Sequence, residues 1–280
     1  MTVTIAIPTE SLLGEGPAWH PVEQALYWVD ILGRRLHRYD GEHRTWELPV
    51  KASAPVFRPL GLSLTTADGI ADFDPQTGTL TPRIDLEPDR PGNRANEARV
   101  DPRGRLWVGT MDDAEEQTSG ALYRVSGGSV SRQVDGVRIS NTLCWSPDER
   151  TLYFADSAEQ TIYAHAFSPD DGEVGERRVF ATTKGEGCGP DGSALDVEGY
   201  LWNCQWDGSR IVRYAPDGSI DRVLALPARR PTCCCFGGPD LDVLYVTTAR
   251  VGLTDPRAEE GAVLALDPGV RGRPEPLWLG

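Results

Sequence analysis

A repeated residue pair, leucine followed by tyrosine or tryptophan, constrains this chain more than any other feature of its sequence. Each pair comes shortly after a tight turn rich in proline, glycine, aspartate or serine. The five pairs are Leu26-Tyr27, Leu106-Trp107, Leu152-Tyr153, Leu201-Trp202 and Leu244-Tyr245. Successive pairs lie about 45 residues apart, except that the first gap is about twice as long and holds two units. This period is the size of one four-stranded blade of a β-propeller.

The segments around each pair indicate what the repeated unit is. Short runs of β-branched and aromatic residues alternate with turns, and no long stretch has helical periodicity. Proline presets the turn backbone, and aspartate or serine bonds back to the main chain, so a strand is expected on either side of each turn. Several units carry a third strand as well, for example at 161–164 and 210–214. The unit is therefore a β-meander.

Six such units predict an all-β fold, a six-bladed β-propeller with four-stranded blades around a central channel. Residues 1–280 are expected to form this propeller as a single domain, and the sixth unit is a degenerate repeat around residues 52–74. We expect the strand-like segment Thr2–Ile7 to pair with the last blade and close the ring. A β-sandwich with irregular turns is the alternative, but it does not demand a repeat of this period.

Composition narrows the classes of partner. The formal net charge is -14 at pH 7, whereas nucleic-acid phosphates are bound by clustered lysine and arginine, so nucleic acid is not an expected partner. The sequence has no run of about 18 to 20 apolar residues that would span a membrane, and no secretory signal is visible. The 6 cysteines show neither zinc-knuckle spacing nor a disulfide framework. These features favour a soluble protein in a reducing cytoplasm.

The innermost strand of each blade begins at the channel, so equivalent positions can be compared between blades. Five residues before the first turn residue, the clear repeats carry Glu15, Asn96, Asn141, Asp191 and Cys233. All but the last have an oxygen-bearing polar side chain, although the strands that they open are apolar. Buried polar groups need partners. These residues therefore form either a ring of structural hydrogen bonds or a binding site.

Two carboxylates and two amides around one channel favour a divalent cation site. Two carboxylates neutralise a dication, and amide oxygens complete a shell of hard donors that suits Ca²⁺, Mg²⁺, Mn²⁺ or Fe²⁺. Zn²⁺ fits less well, because none of the 4 histidines falls at a channel position. A purely structural polar ring, satisfied by loop amides and water, is the alternative.

Several motifs follow one another in the order typical of a known family. They are Gly14-Glu15-Gly16-Pro17-Ala18-Trp19, Asn93-Arg94-Ala95-Asn96, Val100-Asp101-Pro102-Arg103-Gly104-Arg105, Gly109-Thr110-Met111, Ile139-Ser140-Asn141, Pro190-Asp191-Gly192 and Cys234-Cys235-Phe236-Gly237-Gly238. Together they resemble the regucalcin and gluconolactonase family, also called the senescence marker protein and luciferin-regenerating enzyme family, nearly from end to end. The acidic loop after Gly-Thr-Met, followed by Ser119-Gly120-Ala121-Leu122-Tyr123, is most similar to bacterial sugar-acid lactonases of the xylonolactonase kind.

The resemblance implies a metal-dependent lactonase, a carboxylic-ester hydrolase that opens a sugar aldonolactone of the gluconolactone, xylonolactone or arabinonolactone type to the aldonic acid. One divalent ion, Ca²⁺, Mn²⁺, Fe²⁺, Mg²⁺ or Zn²⁺, would be held by Glu15, Asn141 and Asp191, which the register comparison had already selected. The ion would polarise the lactone carbonyl and activate water. Asp191 is the expected catalytic residue, although a carboxylate that ligates a dication is a weaker base.

The resemblance also implies where the substrate is bound. Arg94 matches a substrate-contacting arginine, and Asn96 matches a position that is a metal ligand or a near neighbour of the metal in some members. Both are expected to help bind the substrate. A substrate-contacting glutamate follows Gly-Thr-Met in part of the family, and here Glu115 and Glu116 are the two candidates. One departure is Thr142, where many relatives have glycine, so the local backbone conformation is in question.

Other motifs have simpler interpretations. Asp101 and Asp196 stand at the first position of turns, where aspartate bonds its own backbone, so we expect both to be structural. The glycine pattern at 187–192 leads into a strand and not into a helix, so it is not a dinucleotide site. Cys233 opens a run of three cysteines. Apolar packing is the simpler interpretation of its thiol, and a place beside the metal is the alternative.

Two alternative functions remain open at this level. A metal-dependent propeller hydrolase of aryl esters or organophosphates needs a similar ring of ligands but a more apolar mouth. A non-catalytic calcium-binding or partner-binding propeller needs the ring without turnover, because a fold does not determine a function. For the lactonase we expect a small-molecule substrate and a monomer or small homo-oligomer in the cytoplasm.

Overall fold

The computed structural model describes residues 2–280, and over that range the chain forms strands β1 to β24 and no helix. The strands pair into six four-stranded sheets, and each sheet is one blade of a propeller. In blades 1 to 5 the order of strands in space follows the order in the chain, so each blade is a meander. The predicted six-bladed β-propeller is confirmed. No helix in the described range is long and apolar enough to cross a membrane.

The strands of the first three blades have these bounds. Blade 1 contains β2 (Gly14–His20), β3 (Ala25–Asp30), β4 (Arg35–Tyr39) and β5 (His43–Glu47). Blade 2 contains β6 (Ala52–Arg58), β7 (Gly61–Thr66), β8 (Gly69–Asp74) and β9 (Thr79–Asp85). Blade 3 contains β10 (Asn93–Val100), β11 (Leu106–Asp112), β12 (Gly120–Ser126) and β13 (Ser129–Val137).

The other three blades complete the ring. Blade 4 contains β14 (Ser140–Trp145), β15 (Thr151–Asp156), β16 (Thr161–Phe167) and β17 (Val174–Thr182). Blade 5 contains β18 (Gly189–Leu195), β19 (Leu201–Trp206), β20 (Arg210–Tyr214) and β21 (Ile220–Ala225). Blade 6 contains β22 (Pro231–Gly237), β23 (Val243–Thr248), β24 (Val263–Leu266) and β1 (Val3–Ile7).

The first strand of the chain closes the ring by completing the last blade. β1 pairs antiparallel with β24, with Val3 opposite Leu266 and Ile7 opposite Val263. Ile7 is buried in an apolar cluster that also contains residues of blade 1. The predicted pairing of the N-terminal segment with the last blade is confirmed.

The leucines of the repeated pairs lie in the second strand of their blades and are buried between blades. Their exposed fractions are at most 1%: Leu26, Leu106, Leu152, Leu201 and Leu244. Full burial of one leucine side chain contributes about 2 kcal/mol to folding stability. The leucine recurs in the sequence because each copy fills the core between two neighbouring blades. In the degenerate unit Leu62 is followed by Ser63, which is fully buried and whose hydroxyl donates to Asp72 at 2.8 Å. A hydrogen-bonded serine thus replaces the aromatic residue there.

The turn aspartates Asp101 and Asp196 have equivalent structural roles. Both are 0% exposed, and each accepts backbone N–H groups of its own turn. Each also accepts the indole Nε1–H of the tryptophan in the repeated pair, at 3.0 Å from Trp107 and 2.9 Å from Trp202. An arginine adds an ion pair to each carboxylate. The prediction that both residues are structural is confirmed.

Every innermost strand has an irregularity near its start, where the pairing register with the second strand shifts. The residues that flank the shifts are Glu15 and Ala18, Ala52 and Ala54, Ala95 and Glu97, Asn141 and Cys144, Pro190 and Ser193, and Pro231 and Cys234. A β-bulge bends the strand and redirects a side chain. The channel positions selected from the sequence lie in these bulges or directly beside them, so the bulges direct those side chains.

Candidate active site

A cavity of about 370 Å³ opens at the end of the channel where the innermost strands begin. Its volume falls in the range of small-molecule sites, about 300 to 1,000 Å³. Six of the residues selected from the sequence line it together: Glu15, Arg94, Asn96, Glu115, Asn141 and Asp191. Side chains from four blades, far apart in the chain, therefore converge on one site.

Two buried carboxylates, Glu15 and Asp191, lie in the wall of this cavity at 7% and 5% exposure. Each accepts a hydrogen bond of 3.1 Å from the backbone N–H of the residue that follows it. Burial and, after it, the negative charge of Glu97 raise the pKa of Glu15 to about 8. Burial also raises the pKa of Asp191, with the charge of Glu15 as the next cause. Two buried carboxylates that repel each other are groups that a bound dication stabilises.

The amide of Asn141 is held in one orientation. Its Nδ2 donates to Ser157 Oγ at 2.8 Å, and Ser157 Oγ donates to Pro190 O at 2.6 Å. Because the serine proton goes to a carbonyl, the serine oxygen must accept from the amide NH₂, and the amide oxygen is left for another partner. No three His, Cys, Asp or Glu side chains within residues 2–280 form a metal-binding group. The two carboxylates and the free amide oxygen form a donor set of hard oxygens, which fits a divalent cation.

Arg94 is 5% exposed and is fixed by acceptors on two of its nitrogens. Its Nε donates to Asp113 at 2.9 Å, and its Nη1 donates to Asn96 Oδ1 at 2.6 Å and to Ala95 O at 3.1 Å. Asp113 is itself paired with Lys51, whose Nζ lies 2.6 Å from Oδ2. Among the described residues, Nη2 of Arg94 has no acceptor. It is the donor that remains for a ligand in the cavity.

The acidic loop after β11 brings one of its two glutamates to the cavity. Asp112 Oδ2 accepts the backbone N–H groups of Glu116 and Gln117 at 2.9 and 3.0 Å, which forms a tight turn. Glu115 takes a positive φ of 60° in this turn and lines the cavity. Glu116 is exposed and does not line the cavity. Of the two candidates, the structure therefore brings Glu115 to the cavity, whereas the turn directs Glu116 to solvent.

Thr142 adopts the left-handed backbone conformation that its glycine counterparts would adopt without strain, at φ 46°. Its buried hydroxyl donates to Asp191 O at 2.6 Å and accepts from Asn203 Nδ2 at 3.2 Å. Ser193 Oγ lies 2.9 Å from the same hydroxyl. This network links the strand that carries Asn141 to the strand that carries Asp191.

Cys233 is fully buried and does not line the cavity. A Cβ placed on Gly192 would lie 2.3 Å from Cys233 Sγ, so the thiol packs against the backbone of Gly192. Glycine is required at 192 because any side chain would collide with this sulfur. Cys233 is therefore packed in the interior, as its apolar interpretation predicts, and its thiol does not reach the cavity.

Sequence reasoning missed several residues of the cavity wall. Three of them, Met111, Ser157 and Trp206, each follow the leucine of a repeated pair by the same number of residues. The second strands therefore end at the cavity in the same register, and the repeat could have identified these positions. Trp206 lies against the guanidinium of Arg230, with 4.7 Å between its ring centroid and the guanidinium carbon.

Fold and site together define a class of protein, a six-bladed β-propeller whose channel opens on a cavity with paired buried carboxylates, an oriented amide and an arginine. Residues 13–250 match the family described as the SMP-30/Gluconolactonase/LRE-like region, and the chain belongs to this family. The resemblance found in the sequence motifs is confirmed.

Three relatives show how far the similarity extends. The chain is 36% identical to 6-deoxy-6-sulfogluconolactonase of Pseudomonas putida, over 100% of this chain and 99% of the relative. It is 38% identical to L-arabinolactonase of Azospirillum brasilense, over 90% of this chain and 86% of the relative. The solved structure of regucalcin from Agrobacterium tumefaciens strain C58, described as a calcium-binding protein, is 35% identical, with a TM-score of 0.93 over 98% of this chain and 96% of that chain.

Proposed function

We propose that this protein is a metal-dependent lactonase that hydrolyses a sugar aldonolactone of the gluconolactone, xylonolactone or arabinonolactone type to the aldonic acid. Two of its relatives are named as lactonases of sugar acids. The observation that carries the proposal is the convergence of two buried carboxylates and a free amide oxygen on a cavity that also contains a fixed arginine. This combination suits a small polyhydroxylated substrate with one reactive carbonyl.

The residues that would hold one divalent ion are Glu15, Asn141 and Asp191. Their donors are hard oxygens, which suit Ca²⁺, Mg²⁺, Mn²⁺ and Fe²⁺, and Zn²⁺ is retained as a further candidate. Calcium is supported by the description of the Agrobacterium regucalcin as calcium-binding. When bound, the ion supplies Lewis-acid polarisation of the lactone carbonyl and lowers the pKa of water.

The reaction adds water across the lactone ester bond. The water oxygen bonds to the carbonyl carbon, the bond from that carbon to the ring oxygen breaks, and the ring oxygen leaves as a hydroxyl group of the acid. We assign proton transfer to Asp191, which accepts a proton from the attacking water and returns one to the ring oxygen. Arg94 donates from Nη2 to oxygens of the sugar, and Asn96 and Glu115 lie beside it to orient the ring.

The first test is proton release from a panel of aldonolactones in weak buffer, corrected for spontaneous hydrolysis. Chelator-stripped protein is compared with the same protein given Ca²⁺, Mg²⁺, Mn²⁺, Fe²⁺ or Zn²⁺. We expect hydrolysis that vanishes on stripping and returns with a preferred ion. Absence of acceleration with every ion would overturn the proposal. Hydrolysis of aryl esters or organophosphates alone would assign the protein to the propeller hydrolases of those substrates. Metal binding without any turnover would indicate a non-catalytic calcium-binding propeller.

Asp191→Asn tests the assignment of the catalytic residue. The amide keeps the size of the side chain but cannot accept a proton, so we expect a folded protein whose kcat falls at least about a hundredfold. Asp217→Asn, in an exposed turn of blade 5, is the matched control and should leave kcat unchanged. An unchanged kcat in Asp191→Asn would remove this residue from the mechanism.

We further propose that the enzyme works in the cytoplasm on a small-molecule substrate, as a monomer or small homo-oligomer. All 6 cysteines are buried and unpaired. Free thiols in this number support a reducing compartment. Light scattering of the purified protein would establish the number of subunits.

A further inference from the structure

The C-terminal segment crosses the end of the channel opposite the cavity. Residues 271–280 are here called the C-terminal strap. At its beginning, Val197 N donates to Arg271 O at 3.0 Å, and Gly272 N donates to Leu241 O at 2.8 Å. Val197 and Leu241 belong to the turns between the first and second strands of blades 5 and 6. These turns lie on the face of the propeller away from the cavity.

The strap ends on the other side of the ring. Trp278 N donates to Phe57 O at 2.9 Å in blade 2, and Leu279 N donates to Gly104 O at 3.0 Å in blade 3. The Trp278 side chain is 0% exposed and belongs to the apolar cluster that blades 2 and 3 share. The strap is therefore attached firmly at both ends and spans the channel between them.

Between these attachments the strap presents Glu275 to Arg99, an arginine inside the channel. The two side chains form an ion pair, and Arg99 is only 10% exposed. Arg99 Nη2 also donates to Ser193 O at 2.7 Å and to Cys234 O at 3.2 Å. Ser193 follows Asp191 closely on β18. One guanidinium thus joins the strap to the strand that carries a candidate metal ligand.

Arg99 has one more carboxylate nearby, that of Glu97. Glu97 Oε1 lies 4.0 Å from Arg99 Nε, and Glu97 is 5% exposed. A cavity of about 30 Å³ is bordered by Glu97, Arg99 and Glu275 together with Gly16, the neighbour of Glu15. A buried guanidinium without a counter-charge is costly. If Glu275 lost its charge, Arg99 would turn toward the remaining carboxylates and compete there with a bound cation.

We propose that Arg99 and Glu275 are positioning residues of the candidate metal site, and that the C-terminal strap keeps the charge of Arg99 away from the carboxylates that would hold the ion. The pair also fixes β18, so the placement of Asp191 depends on a segment at the far end of the channel. This inference rests on the proposed function, because it assumes that Glu15, Asn141 and Asp191 hold a divalent ion.

The test is calorimetric titration of Ca²⁺ and Mn²⁺ into the metal-free, full-length protein, which reads metal affinity independently of turnover. We expect Glu275→Gln to raise the Kd by at least about tenfold, because Arg99 is left without its counter-charge. Glu47→Gln is the matched control: it removes an arginine–glutamate pair of 2.8 Å with Arg35 on the outer strands of blade 1. Its Kd should equal that of the unsubstituted protein.

The double variant Arg99→Met/Glu275→Gln separates charge balance from a merely structural contact. With both charges removed no unpaired cation remains, so metal affinity should recover most of the loss seen in Glu275→Gln. Glu275→Asp keeps the charge and should also retain affinity. If Glu275→Gln does not fold, the double variant is compared directly with the unsubstituted protein and should bind metal within a few-fold of its Kd. A double variant that binds metal as weakly as Glu275→Gln, or more weakly, would overturn the inference.

The outcomes distinguish this inference from the proposed function. If the unsubstituted protein binds neither Ca²⁺ nor Mn²⁺, the titration is repeated with Mg²⁺, Fe²⁺ and Zn²⁺. A protein that binds none of the five ions would show that the proposed function is wrong, and this inference with it. If the unsubstituted protein binds metal and Glu275→Gln binds it equally well, only the role of the strap is wrong. If the affinity falls and the double variant restores it, Arg99 and Glu275 are positioning residues of the site.

Discussion

Thr142 holds a left-handed backbone conformation that costs a residue other than glycine about 1 to 2 kcal/mol. The residue keeps this conformation because its hydroxyl belongs to a buried network with Asp191 O, Ser193 and Asn203. Glycine would remove the strain but would leave those partners with fewer hydrogen bonds. The hydrogen bonds of the Thr142 side chain therefore compensate for the strain of its backbone beside the candidate metal site.

Thr142→Gly should consequently destabilise the protein, although it relieves strain. Each lost buried hydrogen bond costs about 1 kcal/mol, and glycine adds backbone entropy to the unfolded chain. We expect the free energy of unfolding in urea to fall by about 1 to 2 kcal/mol. Thr142→Ser keeps the hydroxyl and should stay within about 0.5 kcal/mol of the parent. A glycine variant that is more stable than the parent would contradict this account.

Asp113 acts by positioning Arg94 and not by direct contact with a ligand. It fixes Arg94 through Nε and is paired with Lys51, so Asp113→Asn should loosen the arginine without touching the paired carboxylates. We expect kcat/KM for the preferred lactone to fall about tenfold, mainly through KM, since a hydrogen bond between charged groups contributes about 1.5 to 3 kcal/mol. Asp135→Asn, which breaks an arginine pair on the outer strand of blade 3, is the control. An equal fall in kcat alone would instead place Asp113 in the chemical step.

At the scale of the element, the turns and strands of the propeller were predictable because their causes are local. Proline, glycine and aspartate mark each turn, and the buried leucine marks each second strand. Counting from the turns also identified Glu15, Asn141 and Asp191, because each blade repeats the same register around the channel. The fold and the positions of the three candidate ligands could therefore be predicted from the sequence.

The remaining parts of the site depend on contacts that no local pattern encodes. Lys51 and Asp113 meet although they belong to different blades. Glu115 and Glu116 differ only in how one tight turn directs them, and both are compatible with the same loop sequence. Arg99 and Glu275 are 176 residues apart in the chain. Pairings of this kind are set by the closed ring and become visible only when the blades are assembled.

The long loop between β23 and β24 is held by a single buried acid, Glu260, which is 1% exposed. It accepts hydrogen bonds from Arg229 at 2.5 and 2.7 Å and from Arg257 N at 2.7 Å. The bonds from Arg229 are the main reason that the pKa of Glu260 lies at about 2. Because this pKa is lower than in the unfolded chain, the stabilisation is complete above about pH 5 and is lost as the pH falls through 2.

Glu260→Gln should therefore destabilise the protein in a pH-dependent way. At pH 7 we expect the free energy of unfolding to fall by about 2 to 4 kcal/mol, because two arginines lose a charged acceptor. The difference between variant and parent should shrink as the pH is lowered from 5 toward 2, where the parent also loses the charge. Glu259→Gln, in the same loop, serves as the control. A difference that stayed constant over this pH range would show that the charge of Glu260 is not responsible.

At the scale of the whole molecule, the ring is fastened at two places that lie far from the cavity. β1 completes blade 6, and the C-terminal strap connects blades 5 and 6 with blades 2 and 3. Neighbouring blades share apolar clusters around the ring. Since every candidate ligand comes from a different blade, the geometry of the site depends on the closed ring and not on any one blade.

Ile7→Ala tests whether the ring unfolds as a unit. Ile7 is 2% exposed and packs in the cluster where β1 meets blade 1, so its truncation should cost about 3 kcal/mol of unfolding free energy. If closure is cooperative, tryptophan fluorescence and far-UV circular dichroism will report one coincident urea transition at a lower midpoint. Ile5→Ala lies on the same strand at 37% exposure and should shift the midpoint far less. Separate transitions for the two probes in Ile7→Ala would show instead that blade 6 unfolds before the other blades. The candidate ligands would then keep their positions after the ring has opened.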